Sequence, residues 1–381
     1  MKQDDLAEYL HASEPHRRQR AENWRVAIGL QKVDGLDTSD YLVNAARRNI
    51  EGEISIAEVK NLLEGYYKAR PARANDEERT EEADKVSQRI AEIVAEPAFS
   101  FAPSELISIH RRLFAGIFKH AGKLRDYNIT KSEWVLHGDT VFYATADALL
   151  DTLSYDFGQE RDFSYAHLSR KEAVRHFARF ISRLWQIHPF GEGNTRTTAV
   201  FTIKYLRMLG FNVSNEPFAQ NSWYFRNALV RANYTNLTTG VEETISYLEL
   251  FFDNLLFGAN HNLRNREMLV GGALAGDSKA VAPNGDPASN PASNPASKAP
   301  ALNEQVIRLL KVLDSEMSRR TLMAKLALKD RNTFVSNYLE PALRIGYIEQ
   351  TQPDAPRSPT QKYRLTKKGR EIAVTLKNAK S

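Results

Sequence analysis

The segment HPFGEGNTR, His188 through Arg196, brings a proton acceptor, a hard oxygen ligand and an anion cradle together in one short run. A neutral imidazole such as His188 is the usual side chain for taking a proton from a hydroxyl near neutral pH. Glu192 offers a carboxylate, and magnesium bound to nucleotide phosphates takes few carboxylates from the protein. Gly191 and Gly193 let backbone amides approach phosphate oxygens closely. Asn194, Thr195 and Arg196 would open a helix, whose free N–H groups and dipole favour an anion. The Arg196 guanidinium can grip a phosphate in bidentate fashion. A His-Pro turn or a Gly-Glu-Gly loop met singly is usually structural. The combination is what a phosphoryl or nucleotidyl transfer requires. A zinc hydrolase is poorly served, because the chain has no HExxH pair and no cysteine.

Such a run needs an element on each side to hold it. Upstream, 169–187 reads as a helix: Ser169 and Glu172 have capping-box spacing, and Val174, Phe177, Ile181 and Leu184 recur on one face. Pro189 cannot continue a helix interior, so this helix should end near His188. Downstream, a helix from about Thr195 to Leu209 would stop at Gly210. A third helix is predicted over 104–118, with Ser104 as its cap. The stretch 133–144 differs: Gly138-Asp139 separates two runs rich in β-formers and predicts a hairpin with a II′-type turn.

Apolar residues make up 42% and charged residues 26% of the 381, which suits a soluble protein of two or three domains. Without cysteine there are no disulfides or cysteine-held zinc sites, and a reducing, cytoplasmic setting is expected. The polar N-terminus lacks the apolar stretch of a secretory signal, and no run is apolar enough to cross a membrane. The net charge of +5 is unevenly placed: residues 301–381 hold sixteen Lys/Arg against eight Asp/Glu. Segment 271–300, with its repeated PASN, carries few large apolar side chains and predicts a flexible linker. A weaker break at 70–83 is either a loop or the solvated start of the next helix.

The segment 188–196 resembles the Fic motif, HPF-x-[D/E]-G-N-x-R. The resemblance implies that His188 is the base and that Glu192 binds Mg2+. It further implies that Gly193, Asn194 and Arg196 hold the phosphates of ATP, with Phe190 facing the core, and the chemistry of the residues adds Gly191 and Thr195 as phosphate-binding candidates. It extends to 109–129, similar to the upstream helix and G-x-x-R turn of Fic proteins, and to 221–229, where Tyr224 and Asn227 would contact the nucleoside. The hairpin would be the flap that pairs with a target's backbone, through Val135, Leu136, Val141 and Phe142. In two places the chain departs from the pattern. Thr195 stands where a second glycine is usual. Ala199 stands where many relatives carry a second arginine for the terminal phosphate. Doc-type relatives also lack that arginine and transfer phosphate.

Residues 13–65 predict a small helical unit with turns at Gly35 and Gly52. They also resemble the antitoxin partners of Fic toxins, which carry an inhibitory acidic residue. Asp34 is the better match to that residue and Glu51 the competing one. With no arginine at 199 to pair with, an acid there would gain little by burial, so weakened or altered inhibition is expected. Residues 303–381 resemble a winged helix, with Asp330 capping its third helix. Such a module docks DNA or protein.

The expected organisation is an antitoxin-like segment (1–75), a Fic domain (76–270), a linker (271–300) and a winged-helix domain (301–381). The implied fold class is an all-α Fic core with a small β-hairpin flap, plus a separate α+β winged helix. The implied function is protein adenylylation, AMP passing from ATP to a Tyr, Thr or Ser hydroxyl of a target protein or of the chain itself. The alternatives are a Doc-like phosphotransferase and a DNA-binding regulator with a Fic sensor. A homodimer remains open, and a membrane partner is not expected.

Overall fold

The computed structural model describes residues 6–11, 14–69, 75–211, 216–237, 239–271, 304–328, 330–344, 346–352, 361–366, 369–370 and 373. The chain divides into two compact units, Met1–Ala296 and Ser297–Ser381. Apart from Gly271, the segment read as a linker lies outside the described residues.

The first unit is helical. Its helices are α1 (Pro15–Gly29), α2 (Asp40–Glu51), α3 (Ile56–Lys68), α4 (Asn75–Ala95), α5 (Pro103–Phe114), α6 (Leu149–Asp162), α7 (Arg170–Ile187), α8 (Asn194–Met208), α9 (Glu216–Arg231) and α10 (Ser246–Phe257). Helix α7 begins as its sequence dictates. The Ser169 hydroxyl accepts from the Glu172 amide, and the Glu172 carboxylate accepts from the Ser169 amide. Gly210, in the left-handed region at φ 87°, follows the end of α8. Helix α5 opens differently from expectation: its cap is Ala102, with Pro103 at the first helical position, and it ends at Phe114. The polar run at 70–83 becomes, from Asn75 on, the first turns of α4.

The N-terminal helices are not a detachable layer. Trp24, Leu30, Leu42, Ile50, Val59 and Leu63 are buried in the same apolar cluster as Phe177, Ile181, Phe201 and Leu206. Helix α1 crosses α9 at contact distance, since a Cβ on Gly29 would lie 2.2 Å from the Ala219 carbonyl oxygen. Ser222 Oγ donates to the Gly29 carbonyl at 2.6 Å, and Arg25 Nη2 donates to Glu216 Oε1 at 2.9 Å. Trp24 Nε1 donates to Asn49 Oδ1 at 2.9 Å, which ties α1 to α2.

No strand forms in the stretch expected to be a hairpin. Residues Trp134–Leu136 make a 3-10 turn, with His137 and Gly138 following in the left-handed region. The loop is closed on itself by the Glu133 amide donating to the Asp139 carbonyl at 2.9 Å. The reason is burial. Val135, Leu136 and Val141 are core residues, and of the four residues assigned to the flap only Phe142, 48% exposed, faces outward. Tertiary packing overrides the local β preference of these residues.

The second unit contains α11 (Glu304–Val312), α12 (Arg319–Lys325) and a helical run 331–344. That run passes from α13 (Arg331–Phe334) through a π-helical turn (Val335–Leu339) into α14 (Glu340–Arg344). Asp330 caps it, its carboxylate accepting from the Thr333 amide at 2.5 Å. Three strands, β1 (Met317–Ser318), β2 (Ile348–Gln350) and β3 (Lys362–Leu365), form an antiparallel sheet in the order β1-β3-β2. Met317 and Gln350 both register with Tyr363. Leu309, Leu322, Phe334, Ile348 and Tyr363 share a core of their own. Part of this unit's positive charge is neutralised internally, Arg364 by Glu349 and Glu316, and Lys325 by Asp314. Among the described residues no helix is long and apolar enough to cross a membrane.

Because α1–α3 supply so much of the core, removing residues 1–66 cannot serve as a clean release of the rest. The truncated chain is expected to lose its cooperative thermal unfolding transition, each exposed large core residue costing about 2–5 kcal/mol. Circular dichroism melts of the two chains check this. A sharp transition in the truncated protein within a few degrees of the full chain's would contradict it.

Candidate active site

The residues 188–196 lie between α7 and α8. His188 takes a left-handed conformation, φ 49° and ψ 57°, and ends α7 where Pro189 forbids another turn. Arg125 holds this end in place. Its guanidinium donates to the carbonyls of His188 (2.8 Å), Tyr127 (2.6 Å), Ile187 (3.3 Å) and Ala144, and its amide donates to Pro189 at 2.9 Å. One buried cation thereby satisfies the orphan carbonyls of α7 and draws two loops onto it.

The imidazole of His188 is 2% exposed, with its Nδ1 3.3 Å from the Trp185 carbonyl and the Tyr143 ring at 4.2 Å. Nε2 is buried with no hydrogen-bond partner. A proton on Nδ1 shared with that carbonyl leaves the lone pair on Nε2. Burial, reinforced by the positive charges of Lys131, Arg125 and Arg226, holds the His188 pKa well below the ordinary histidine value. The ring is neutral at physiological pH, as a proton acceptor must be.

The loop that follows is braced from inside. Phe190 donates its amide to Asn194 Oδ1 at 3.0 Å, and Asn194 Nδ2 donates back to the Phe190 carbonyl at 2.7 Å. His110 stacks on Phe190, ring centroids 3.7 Å apart, and its Nε2 meets the Glu192 carbonyl at 3.0 Å. Its Nδ1 accepts from the Gly122 amide, so Nε2 carries the proton, and burial pushes the pKa down to about 3. Gly193 is required by space, since a Cβ there, at φ 76°, would meet the buried Phe114 ring at 2.4 Å, whereas one on Gly191 would meet the Tyr127 hydroxyl, the end of a half-exposed side chain, at 2.6 Å. Gly193 caps α8 with no side chain over it, leaving the first amides of that helix uncapped by any neighbour's oxygen from the cap position.

Thr195 is placed differently from a phosphate ligand: its Oγ1 accepts from Trp185 Nε1 at 3.0 Å, which binds α8 to α7. Glu192 is partly exposed and accepts from Lys131 Nζ at 3.0 Å. Arg196 is 2% exposed and stacks its guanidinium over the Phe114 ring at 4.8 Å. Its Nη2 donates to Glu82 Oε1 at 2.6 Å and its Nη1 to Gln31 Oε1 at 3.0 Å. Its Nε lies 2.8 Å from Asp34 Oδ2.

Asp34 therefore does have an arginine partner, although none stands at 199. The acid reaches the motif's own arginine instead, carried on the 3-10 turn Leu30–Asp34 that continues α1. Arg79 fixes that turn by donating to the carbonyls of Asp34 and Gly35, each at 3.2 Å. Ala199 is fully buried. Glu51 lies elsewhere, 3.3 Å from Arg17. Tyr224 and Asn227 are buried, but their hydrogen bonds run to the Tyr247 carbonyl and to Asn265 rather than to 188–196. Of the residues assigned to the flap, Val135, Leu136 and Val141 belong to the core as described.

Sequence reasoning missed Glu82, Gln31, Lys131 and the buried pair Glu133–Arg226, whose carboxylate and guanidinium meet at 3.0 Å beside Tyr143. Glu82 sits in a run read as solvated, and no spacing rule links any of these residues to the motif.

Residues 100–206 match the sequence model of the Fic/DOC family, and residues 304–366 match that of the C-terminal domain of Fic-like proteins (filamentation induced by cAMP). The stretch that carries His188–Arg196 is thus similar to Fic/DOC-family domains. A probable protein adenylyltransferase of Sinorhizobium fredii is 28% identical over 130 residues, 33% of this chain and 62% of that protein. The chain therefore matches about three-fifths of that relative's length. Among solved structures, a Fic family protein of Desulfovibrio desulfuricans is 18% identical, covering 96% of this chain and 93% of its own, with a TM-score of 0.40. The BepC protein of Bartonella tribocorum, solved with AMPPNP, is 20% identical, covering 48% and 88%, with a TM-score of 0.38.

The φ of Gly193 and the contact with Phe114 make its replacement costly. Gly193→Ala is expected to destabilise the first unit by about 1–3 kcal/mol through strain and overpacking. A denaturant titration measures this, and an unchanged midpoint would contradict the assigned geometry.

Proposed function

We propose that the Fic domain transfers AMP from ATP to a hydroxyl of a protein, with His188 as general base. The observation that carries this reading is the His188 ring: buried, neutral, with an unpartnered Nε2, at the start of a loop that leads into the open N-terminus of α8. In the transfer, Nε2 takes the proton of the acceptor hydroxyl. The hydroxyl oxygen forms a bond to the α-phosphorus, the bond from that phosphorus to the bridging oxygen breaks, and pyrophosphate leaves. The first amides of α8 and Arg196 would hold phosphate oxygens.

Glu192 fits the part of a Mg2+ ligand. Among the described residues no group of three or more His, Asp or Glu could hold a metal alone, so the ion would rest on this one carboxylate, water and nucleotide phosphates. The metal would neutralise charge on the phosphates. With Ala199 buried and Thr195 bonded to Trp185, the first two turns of α8 carry no cation besides Arg196, which favours phosphate transfer as the second reading.

Regulation follows from Arg196. A phosphate can take this guanidinium only if Asp34 and Glu82 release it, because two carboxylates and a phosphate cannot share one cation at close range. We read 30–35 and α4 as an inhibitory pair acting on the first arginine of the motif. The C-terminal unit, read as a winged helix, would dock a partner protein or DNA.

Intact mass after incubation with ATP and Mg2+ tests the transfer. The expected result is an added mass of one AMP, on the chain itself or on an added target, that is absent in His188→Ala. Full retained transfer in His188→Ala would overturn the assignment, and an added phosphate would establish the second reading. For regulation, Asp34→Asn with Glu82→Gln is expected to raise the transfer rate roughly tenfold or more, since a buried ion pair can hold back several kcal/mol. A rate unchanged in the folded double variant would remove the inhibitory role.

A further inference from the structure

Lys131 sits in the loop between α5 and α6, and its side chain is 9% exposed. A nearly buried ammonium is stable only with a counter-charge. Its partner is Glu192, which is also the carboxylate assigned to the metal. His188 and Glu133 lie within its electrostatic reach. His188 is neutral. Glu133 is fully buried and engaged by Arg226 at 3.0 Å and by the Tyr143 hydroxyl at 3.2 Å. When a metal takes Glu192, Glu133 is already neutralised by Arg226, so the stronger attraction for the ammonium is to the phosphates that arrive with the metal.

The backbone at this position is held, the Lys131 amide donating to Thr140 Oγ1 at 3.3 Å, so the side chain alone has to move. A lysine suits the task, as a point charge on a flexible stem with three donors. Position 199, the place on α8 from which a second cation would come, is a buried alanine.

We propose that Lys131 is a phosphate-positioning residue of this nucleotide site. Its ammonium occupies Glu192 in the absence of nucleotide and passes to phosphate oxygens when a divalent cation takes that carboxylate. This rests on the reading of 188–196 as a site for a metal-bound nucleotide. A lysine that only neutralises Glu192 would behave in the opposite way, since its removal would free the carboxylate and favour the metal-bound nucleotide.

The test is binding of a non-hydrolysable ATP analogue to the full chain by calorimetry, in EDTA and in saturating Mg2+. It is run in the wild-type chain and in the Asp34→Asn, Glu82→Gln background. In Mg2+, Lys131→Met is expected to weaken binding about tenfold, a charge-assisted hydrogen bond's worth, while Lys131→Arg keeps most of the affinity. In EDTA, Glu192→Gln is expected to tighten binding by freeing the ammonium, and the gain should vanish in Glu192→Gln with Lys131→Met. Lys131→Gln is measured alongside, so that a poorly folded Met variant does not decide the matter. Affinity in Mg2+ equal to or above wild type for both neutral variants would overturn the role of Lys131 while leaving the nucleotide site standing. No binding by any form in either condition would overturn the nucleotide site itself, and the role of Lys131 with it.

Discussion

A buried guanidinium must be paired, and in this protein the pairing of Arg196 organises the first unit. Its three polar contacts come from Gln31, Asp34 and Glu82, on two segments far from it in the chain. To deliver them, α1 must run on into the turn 30–34, and α4 must lie alongside. Both are fastened by apolar burial that the N-terminal helices share with α7 and α8. The core and the ion cluster therefore stand or fall together. Breaking one of these pairs in place would leave a charge unpaired in a low-dielectric setting, which costs several kcal/mol.

The motif's two charged side chains are both satisfied by the protein itself. On the proposed reading of the site, Lys131 stands on Glu192 in the place of a divalent cation, and two carboxylates stand on Arg196 in the place of phosphate. The resting site thus holds a charge pattern of the same signs as a metal-bound phosphate. Ligand binding is then an exchange of ion pairs rather than the filling of an empty slot, and its free energy is a difference of two large electrostatic quantities.

Local chemistry was legible in the sequence. Ser169 and Glu172 start α7, Pro189 stops it, and Asp330 caps the helical run of the second unit, because each acts through neighbours a few residues away. The loop 133–144 was misread for the opposite reason. Val135, Leu136 and Val141 carry a β-like local pattern, but they are apolar because the core needs them, and periodicity does not distinguish the two over so short a run. Asp34 was reachable by likeness to inhibitory segments, yet its partner was not. Nor was Glu82, 114 residues from the arginine it binds in a run that reads as solvent-facing. Contacts of that separation depend on the packing of whole helices, which no local rule encodes.

The crossing of α1 and α9 at Gly29 sets the mechanics of release. With the Gly29 Cα against the Ala219 carbonyl, the Ser222 hydroxyl on the Gly29 carbonyl and Arg25 on Glu216, the end of α1 is bolted to α9. The N-terminal segment cannot swing away as a rigid arm. The remaining freedom lies in the five residues 30–34 and in Gly35, whose left-handed conformation ends the turn. The moving part on this side is thus a short latch carrying Gln31 and Asp34, while Glu82 belongs to α4. On the proposed inhibitory reading, release therefore takes two local motions, a shift of 30–34 and a turn of the Glu82 side chain, and leaves the α1–α9 crossing in place.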